Sequence, residues 1–125
     1  MKKVIVTKNA PAAIGPYSQA IQAGNMLFAS GQLGLIPENG EFASQDVKGQ
    51  TEQAFKNIHA VLAEAGYTID DVVKVTVFLA DMGDFGTVNE VYATQFKETF
   101  PARSAVAVKT LPKNALVEIE IIAVR

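Results

Sequence analysis

The chain has 125 residues, of which 49 % are hydrophobic, and its formal net charge is −2. Length and composition predict one folded domain over residues 1–125 and exclude a disordered, tail-like protein. The near-neutral charge, the lack of cysteine and the lack of a long apolar segment argue against general attraction to nucleic acid, thiolate chemistry and a membrane span, so we expect a cytoplasmic protein.

Three strands are predicted in the first third of the chain. The segment KKVIV is typical of a short strand, and SQAIQA and MLFAS flank the dipeptide Gly24-Asn25, which indicates a β-hairpin turn. Between the first strand and the hairpin, Pro11, Gly15 and Pro16 predict a loop.

A first helix is predicted after Ser44, where apolar residues begin to recur at helical spacing. We assign Ser44 as its N-cap, and Asp46 lies where the helix dipole favours a negative charge. Gly66 is expected to end the helix. The apolar stripe comprises Val47, Thr51, Ala54, Phe55, Ile58, Val61, Leu62 and Ala65.

The segment DDVVKVTVFLA is β-branched and apolar on both faces, which predicts a buried central strand. A second helix is predicted after it, with Asp81 or Asp84 as its N-cap and Pro101 as its end. One face of this helix carries Phe85, Val88, Tyr92 and Phe96.

Two alternating segments predict the last two strands. RSAVAVKT places Arg103, Ala105 and Ala107 on one face of its strand, and ALVEIEIIAV places Glu118 and Ile122 opposite its apolar face.

The predicted order β-β-β-α-β-α-β-β indicates an α+β domain of two layers, a mixed six-stranded sheet with both helices on one face. We expect the uncovered face of the sheet to carry Arg103, Ala105, Ala107, Glu118 and Ile122. Such a mixture of small, apolar and charged groups is more typical of a subunit contact than of a solvated surface, so we expect an oligomer.

Few residues in the sequence are candidates for catalysis or for binding a metal or ligand. His59 is the one histidine, which excludes a two-histidine acid–base pair and a multi-histidine metal site. The segment SGQLG lacks the spacing of a nucleotide-binding loop, so we expect Gly31 to permit unusual backbone angles or close backbone approach to a small ligand. Tyr17 could either pack or donate a phenolic hydrogen bond.

Arg103 is the most informative side chain. Ala105 and Ala107 leave space in front of it, and a guanidinium in such a space can bind a carboxylate through two hydrogen bonds. The alternative is a structural pair with Glu118 or Glu120 on the closing strand, an arrangement that is common on sheet surfaces and contributes little to stability.

Five segments together resemble the Rid family, the reactive intermediate deaminases, also called the YjgF/L-PSP family. The segments are NAPAAIGPYSQA, GNMLFASGQLG, VKVTVFLADMGDFGTVNEVY, FPARSAVAV and LPKNALVEIEIIAV. They cover nearly the whole chain, and the pattern is closest to the archetypal RidA subfamily. The resemblance implies a chorismate-mutase-like fold and a homotrimer, in which three sheets form a central barrel and the sites lie between subunits.

The resemblance also implies hydrolysis of enamines and imines, such as 2-aminoacrylate, 2-iminopropanoate and 2-iminobutanoate, to 2-oxo acids and ammonia, with no cofactor and no metal. Arg103 of PARS would bind the substrate carboxylate, Glu118 of EIE would position or activate water, and Tyr17 of GPYSQ would orient the reacting group. Further substrate contacts would come from Ser30, Gly31, Asn89 and the backbone N–H of Ala105, where some members have cysteine.

Two other functions are weighed against this enzyme. A non-catalytic trimer that binds small 2-imino or 2-oxo acids, or that has a chaperone-like surface, would also explain Arg103. A ribonuclease or translation inhibitor, a label also attached to this family, is less favoured because the sequence has no basic stripe, a single histidine and no aromatic platform. Neither a membrane nor nucleic acid is expected as a partner.

Overall fold

The computed structural model describes residues 1–125 as seven strands and two helices in two layers. The strands are β1 (Lys2–Ile5), β2 (Ala20–Ala23), β3 (Met26–Ala29), β4 (Gln32–Leu33), β5 (Val72–Leu79), β6 (Ala102–Ala107) and β7 (Val117–Val124). The helices are α1 (Val47–Ala65) and α2 (Phe85–Gln95). Neither helix has the length and hydropathy that crossing a membrane requires.

The sheet has the order β1-β2-β3-β7-β5-β6, and β4 pairs with β7 beside β3. All neighbours are antiparallel except β5 and β6. The predicted α+β fold with a mixed sheet is therefore confirmed. The short strand β4 is additional, because two paired residues are too few to show an alternating pattern in the sequence.

One apolar core lies between the sheet and the helices. Every second residue of β7 is buried in it, and the predicted stripe of α1 supplies the opposite wall. Core residues of β5 and β7 are Val72, Val75, Val77, Leu79, Val117, Ile119, Ile121 and Ala123. The apolar side of β5 and β7 is thus covered within the same chain.

The first helix starts slightly later than predicted. Its N-cap is Asp46, whose carboxylate accepts a 2.7 Å hydrogen bond from the Gly49 backbone N–H. Ser44 lies two residues earlier, and its hydroxyl oxygen accepts from the Asp46 N–H at 3.1 Å. Gly66 ends the helix with a left-handed φ of 81°, as the sequence predicted.

The second helix begins after Asp84 and ends at Gln95, well before Pro101. Asp81 caps the short 3-10 turn that precedes the helix, rather than the helix itself. The chain becomes extended at Phe96, whose buried ring then packs against that of Tyr92. The end of α2 therefore coincides with the packing of Phe96 against Tyr92, and Pro101 lies further along the chain.

The predicted face of β6 was wrong. In the parallel register Val75 pairs with Arg103 and Val77 with Ala105, and Ala107 continues the same alternation. Paired residues of neighbouring strands project from the same face, so these β6 side chains lie on the helix side of the sheet. Alternation within one strand shows which residues share a face, but only the register with β5 shows which face meets the helices.

Glu118 and Ile122 do lie on the uncovered face, where they pair with Phe78 and Lys74 of β5. This face also leaves large apolar side chains accessible to solvent. They include Val4, Phe28 and Val106, which are 54 %, 42 % and 46 % exposed. A sheet face of this composition is typical of a surface that another protein chain covers.

Asn57 fastens β4 to α1. Its side chain is fully buried, and its Nδ2 donates to the carbonyl oxygens of Leu33 and Leu35 at 3.1 and 2.9 Å. Its Oδ1 accepts a 2.9 Å hydrogen bond from Gln53 Nε2. One amide therefore satisfies two backbone carbonyls of the segment that follows Gly31.

We predict that Asn57→Ala lowers the free energy of unfolding by about 2–4 kcal/mol, because two buried carbonyls lose their donor. Denaturant titration measures the change. Gln53→Ala is the matched control, since it removes only the Gln53–Asn57 bond and should cost less than about 1 kcal/mol. Equal losses in the two variants would contradict the anchoring role of Asn57.

Candidate functional site

A cavity of about 610 Å³ lies between the loop that precedes β2 and the uncovered face of β7. It brings together four residues that the sequence singled out, namely Tyr17, Ser30, Gly31 and Glu118. The rest of the lining is largely apolar and includes Ile14, Leu33, Leu35 and Pro112, with Lys113 as the one cation. The cavity therefore offers one carboxyl group in mostly apolar surroundings.

Glu118 is the ionisable group of this cavity. Burial raises the pKa of its carboxyl, and the negative charge of Glu120 on the same face of β7 raises that pKa further. No hydrogen-bond donor or cation of the chain offsets these two effects. The carboxyl can consequently take up and release a proton closer to neutral pH than an ordinary glutamate.

Gly31 forms the wall against which Glu118 lies. A Cβ atom at this position would overlap the Glu118 carboxylate. Of the two roles expected for Gly31, the structure shows a close approach, although the neighbour is a side chain of the same domain. Any larger residue at position 31 would push the carboxyl group away from its present place.

The loop that carries Tyr17 is tied down by the side chain of Gln19, which is 3 % exposed. Gln19 Oε1 accepts from the Thr7 N–H at 2.7 Å, and Nε2 donates to the carbonyl oxygens of Thr7 and Pro11 at 3.0 and 2.8 Å. Ser30 adds a bond from its hydroxyl to the Ser18 carbonyl at 2.6 Å. Tyr17 itself stays 53 % exposed at the cavity edge.

Arg103 lies in a second, separate cavity of about 390 Å³ at the edge of the sheet. Its Nη1 donates to Asn89 Oδ1 at 2.7 Å. Its Cζ lies 5.0 Å from the ring centroid of Phe85 and 4.5 Å from that of Tyr92. Asn89 is its only side-chain hydrogen-bond partner, so the predicted alternative of a pair with Glu118 or Glu120 is wrong.

Ala105 lies two residues further along the same edge strand. The Val108 N–H bonds to the Leu79 carbonyl, so the even-numbered residues of β6 direct their backbone groups towards β5. The N–H groups of Arg103 and Ala105 therefore point out from the open edge of the sheet. A guanidinium and a free backbone donor are available side by side at this edge.

The two groups of candidate residues are well apart within one chain. Arg103 pairs with Val75 and Glu118 pairs with Phe78, on opposite sides of β5. From strand spacing and rise, their Cα atoms are about 14 Å apart, and their side chains project from opposite faces of the sheet. One chain brings Arg103, Asn89 and Ala105 together, but it does not bring them to Glu118.

Several residues of these sites escaped the sequence analysis. Phe85 and Tyr92 were interpreted as core residues of α2, although their spacing with Asn89 already indicated a common helix face. Gln19 is polar and gave no sign that it would be buried. The left-handed backbone of Lys113, with φ of 57°, could not be read from its residue type.

Comparison with known proteins shows what the chain as a whole is similar to. A family model described as endoribonuclease L-PSP matches residues 7–125. The 2-iminobutanoate/2-iminopropanoate deaminase of Escherichia coli K12 is 50 % identical, over 100 % of this chain and 99 % of that protein. A crystal structure of a conserved Rid family protein from Yersinia pestis has a TM-score of 0.97 and 53 % identity over all of both chains. The structure of E. coli TdcF with bound serine has a TM-score of 0.95 and 45 % identity over 98 % of each chain.

We predict that Gly31→Ala displaces the Glu118 carboxylate and lowers the free energy of unfolding by less than about 1 kcal/mol, because the added methyl group meets the flexible end of a side chain that borders a cavity. Adding Glu118→Ala to this variant should remove most of that cost, as a double-mutant cycle would show. Gly86→Ala is the control, since a Cβ there meets no atom and α2 should gain up to about 1 kcal/mol. A Gly31→Ala cost that persists without Glu118 would contradict the contact.

We also predict a pH-dependent effect of Glu118→Gln on stability. The folded-state pKa of Glu118 is above its unfolded value, so ionised Glu118 opposes folding at neutral pH. The variant should therefore unfold at higher denaturant concentration than the wild type at pH 7. This difference should shrink as the pH falls from the raised pKa to the ordinary glutamate range. A difference that is constant with pH would show that ionisation is not its cause.

Proposed function

Because the chain belongs to the Rid family, whose L-PSP family model matches almost its full length, we propose that it hydrolyses 2-imino acids and their enamine tautomers to 2-oxo acids and ammonia. Its relatives of about 50 % identity are named as deaminases of 2-iminobutanoate and 2-iminopropanoate. The observation that carries the proposal is Arg103, a guanidinium that lies over an aromatic ring, has no acidic partner and faces a cavity. Such a group is suited to bind the carboxylate that every 2-imino acid has.

The reaction needs little from the protein beyond positioning of the substrate and one group that transfers protons. An enamine such as 2-aminoacrylate takes a proton at C3 to become the iminium ion. Water then adds to C2, and one of its protons passes to the nitrogen. The nitrogen leaves as ammonia, while the C2 hydroxyl group loses its proton and becomes the ketone. Glu118, at the border of the cavity that Tyr17 also lines, would hold the water and carry these protons. Tyr17 and the walls formed by Ser30 and Gly31 would orient the reacting group.

We infer that the working site is shared between subunits of a cytoplasmic homotrimer. Arg103, Asn89 and Ala105 of one subunit would face Glu118 of its neighbour, because one chain holds the two groups on opposite faces of its sheet. The accessible apolar residues of the uncovered face, such as Phe28 and Val106, support such an assembly. Three sheets would then enclose a central barrel with the helices outside.

The family description as an endoribonuclease makes RNA cleavage the second candidate. His59 is the single histidine, and it is bonded to Gln95 on the outer side of the two helices. It lines neither the cavity of Glu118 nor that of Arg103. RNA cleavage that persists in Arg103→Ala after rigorous removal of contaminating nucleases would favour this candidate. A non-catalytic carboxylate-binding trimer would instead bind 2-oxo acids without releasing ammonia.

We predict that Arg103→Ala and Glu118→Gln each abolish ammonia release above the uncatalysed rate, with the imine generated in situ by an amino-acid oxidase. When the two variants are unfolded together and refolded as mixed oligomers, about a quarter of wild-type activity should return, because each site then draws the two residues from different subunits. Sedimentation confirms that each variant still assembles.

The mixing experiment has a matched control. Refolding Arg103→Ala with Tyr17→Phe tests whether Tyr17 lies on the Glu118 side of the site, and Arg103→Ala refolded alone must stay inactive. A mixture of Arg103→Ala and Glu118→Gln that stays inactive would contradict a shared site. Normal turnover by Arg103→Ala alone would refute the role of this arginine.

A further inference from the structure

We propose that the rings of Phe85 and Tyr92 form an aromatic clamp that fixes the plane of the Arg103 guanidinium and thereby sets how tightly the site binds a carboxylate. This inference rests on the proposed function, in which Arg103 binds the substrate carboxylate. It assigns positioning roles to two residues of α2 that otherwise belong to the packing of the domain.

The spacing along α2 makes the clamp possible. Phe85, Asn89 and Tyr92 are separated by four and three residues, so their side chains lie on one face of the helix. That face is turned towards β6, where Arg103 enters between the rings. Its Cζ is 5.0 Å from the Phe85 centroid and 4.5 Å from the Tyr92 centroid, which is within the range of cation–π attraction.

The ring of Tyr92 is held in place by the rings around it. Tyr92 is 3 % exposed and packs against the rings of Phe55, Phe96 and Phe100, with centroid distances of 5.9, 4.9 and 6.3 Å. Arg103 itself is exposed, and an arginine side chain in solvent samples many rotamers. Contact with an immobile ring restricts those rotamers before any ligand arrives.

The clamp leaves the hydrogen-bonding edge of the guanidinium available. Aromatic rings contact the faces of the planar group, whereas its five N–H donors lie in the plane. Asn89 takes a hydrogen bond from Nη1, and this bond sets the rotation of the group within that plane. The remaining donors can then form two parallel hydrogen bonds to a carboxylate without first reordering the side chain.

The ring of Tyr92, rather than its hydroxyl group, carries this role. The hydroxyl oxygen is buried and has no hydrogen-bond partner. Removing it should therefore leave the contact with Arg103 in place. Tyr92→Phe is for this reason the matched control for Tyr92→Leu, and Phe85→Leu tests the second ring at a less buried position.

The chain has only two arginines, Arg103 and Arg125, so the Nε–H groups give two signals in a ¹⁵N–¹H correlation spectrum. In the wild-type protein we expect the Arg103 proton to be shifted by the ring currents and to be more ordered than that of Arg125. Phe85→Leu and Tyr92→Leu should move the Arg103 signal towards that of Arg125. Tyr92→Phe should leave it unchanged.

The binding measurement uses 2-oxobutanoate as the probe, together with turnover of the oxidase-generated imine. Each leucine variant should raise the 2-oxobutanoate Kd and the KM for the imine by roughly two- to fivefold, with kcat nearly unchanged. Tyr92→Phe should bind as the wild type does. If Tyr92→Leu does not fold, Phe85→Leu decides the question.

The outcomes separate the clamp from the proposed function. If the wild type releases no ammonia, the proposed function fails, and the Arg103 spectrum and 2-oxobutanoate binding still test the clamp. If the wild type is active but the leucine variants keep both the Arg103 signal and the KM, the clamp is refuted. Equal losses in Tyr92→Phe and Tyr92→Leu would also refute it, because the hydroxyl group would then be responsible.

Discussion

Strand β7 pairs with β3, β4 and β5, so its alternation of side chains affects most of the sheet. One set of its residues forms the centre of the apolar core, and the other set includes Glu118 and Glu120 on the uncovered face. Neighbouring residues on a strand cannot share a face. The packing that stabilises the domain therefore also fixes the side of the sheet on which the Glu118 carboxyl group lies, and Gly31 forms the wall against which it lies.

The alternation of side chains along the strands also keeps Arg103 and Glu118 apart within one chain. Arg103 shares a face with the buried part of β5, and it is held by α2, whereas Glu118 lies on the far side of the sheet. Within one chain they cannot neutralise each other, so neither group is consumed by a structural ion pair. Within the single chain, burial without a compensating cation raises the Glu118 pKa.

Much of the fold could be predicted from the sequence, because hydrophobic periodicity reflects contact with a single core. The two helices, the hairpin at Gly24-Asn25 and the split of β7 into two faces were all correct. The face of Arg103 was not, since it depends on the register of two parallel strands far apart in sequence. Ala105 and Ala107 did not indicate which face of β6 meets the helices, because small apolar residues suit a helix contact and a subunit contact equally. Phe85 and Tyr92 show a related limit, as one ring can pack in a core and contact a cation at once.

The buried amide of Gln19 has a consequence for motion. Its hydrogen bonds to Thr7 and Pro11 join both ends of the loop that leads to Tyr17. A loop fastened at both ends cannot swing open as a hinged lid without breaking several buried hydrogen bonds at once. Entry of a small molecule would then be governed by diffusion into a standing opening rather than by a slow gate.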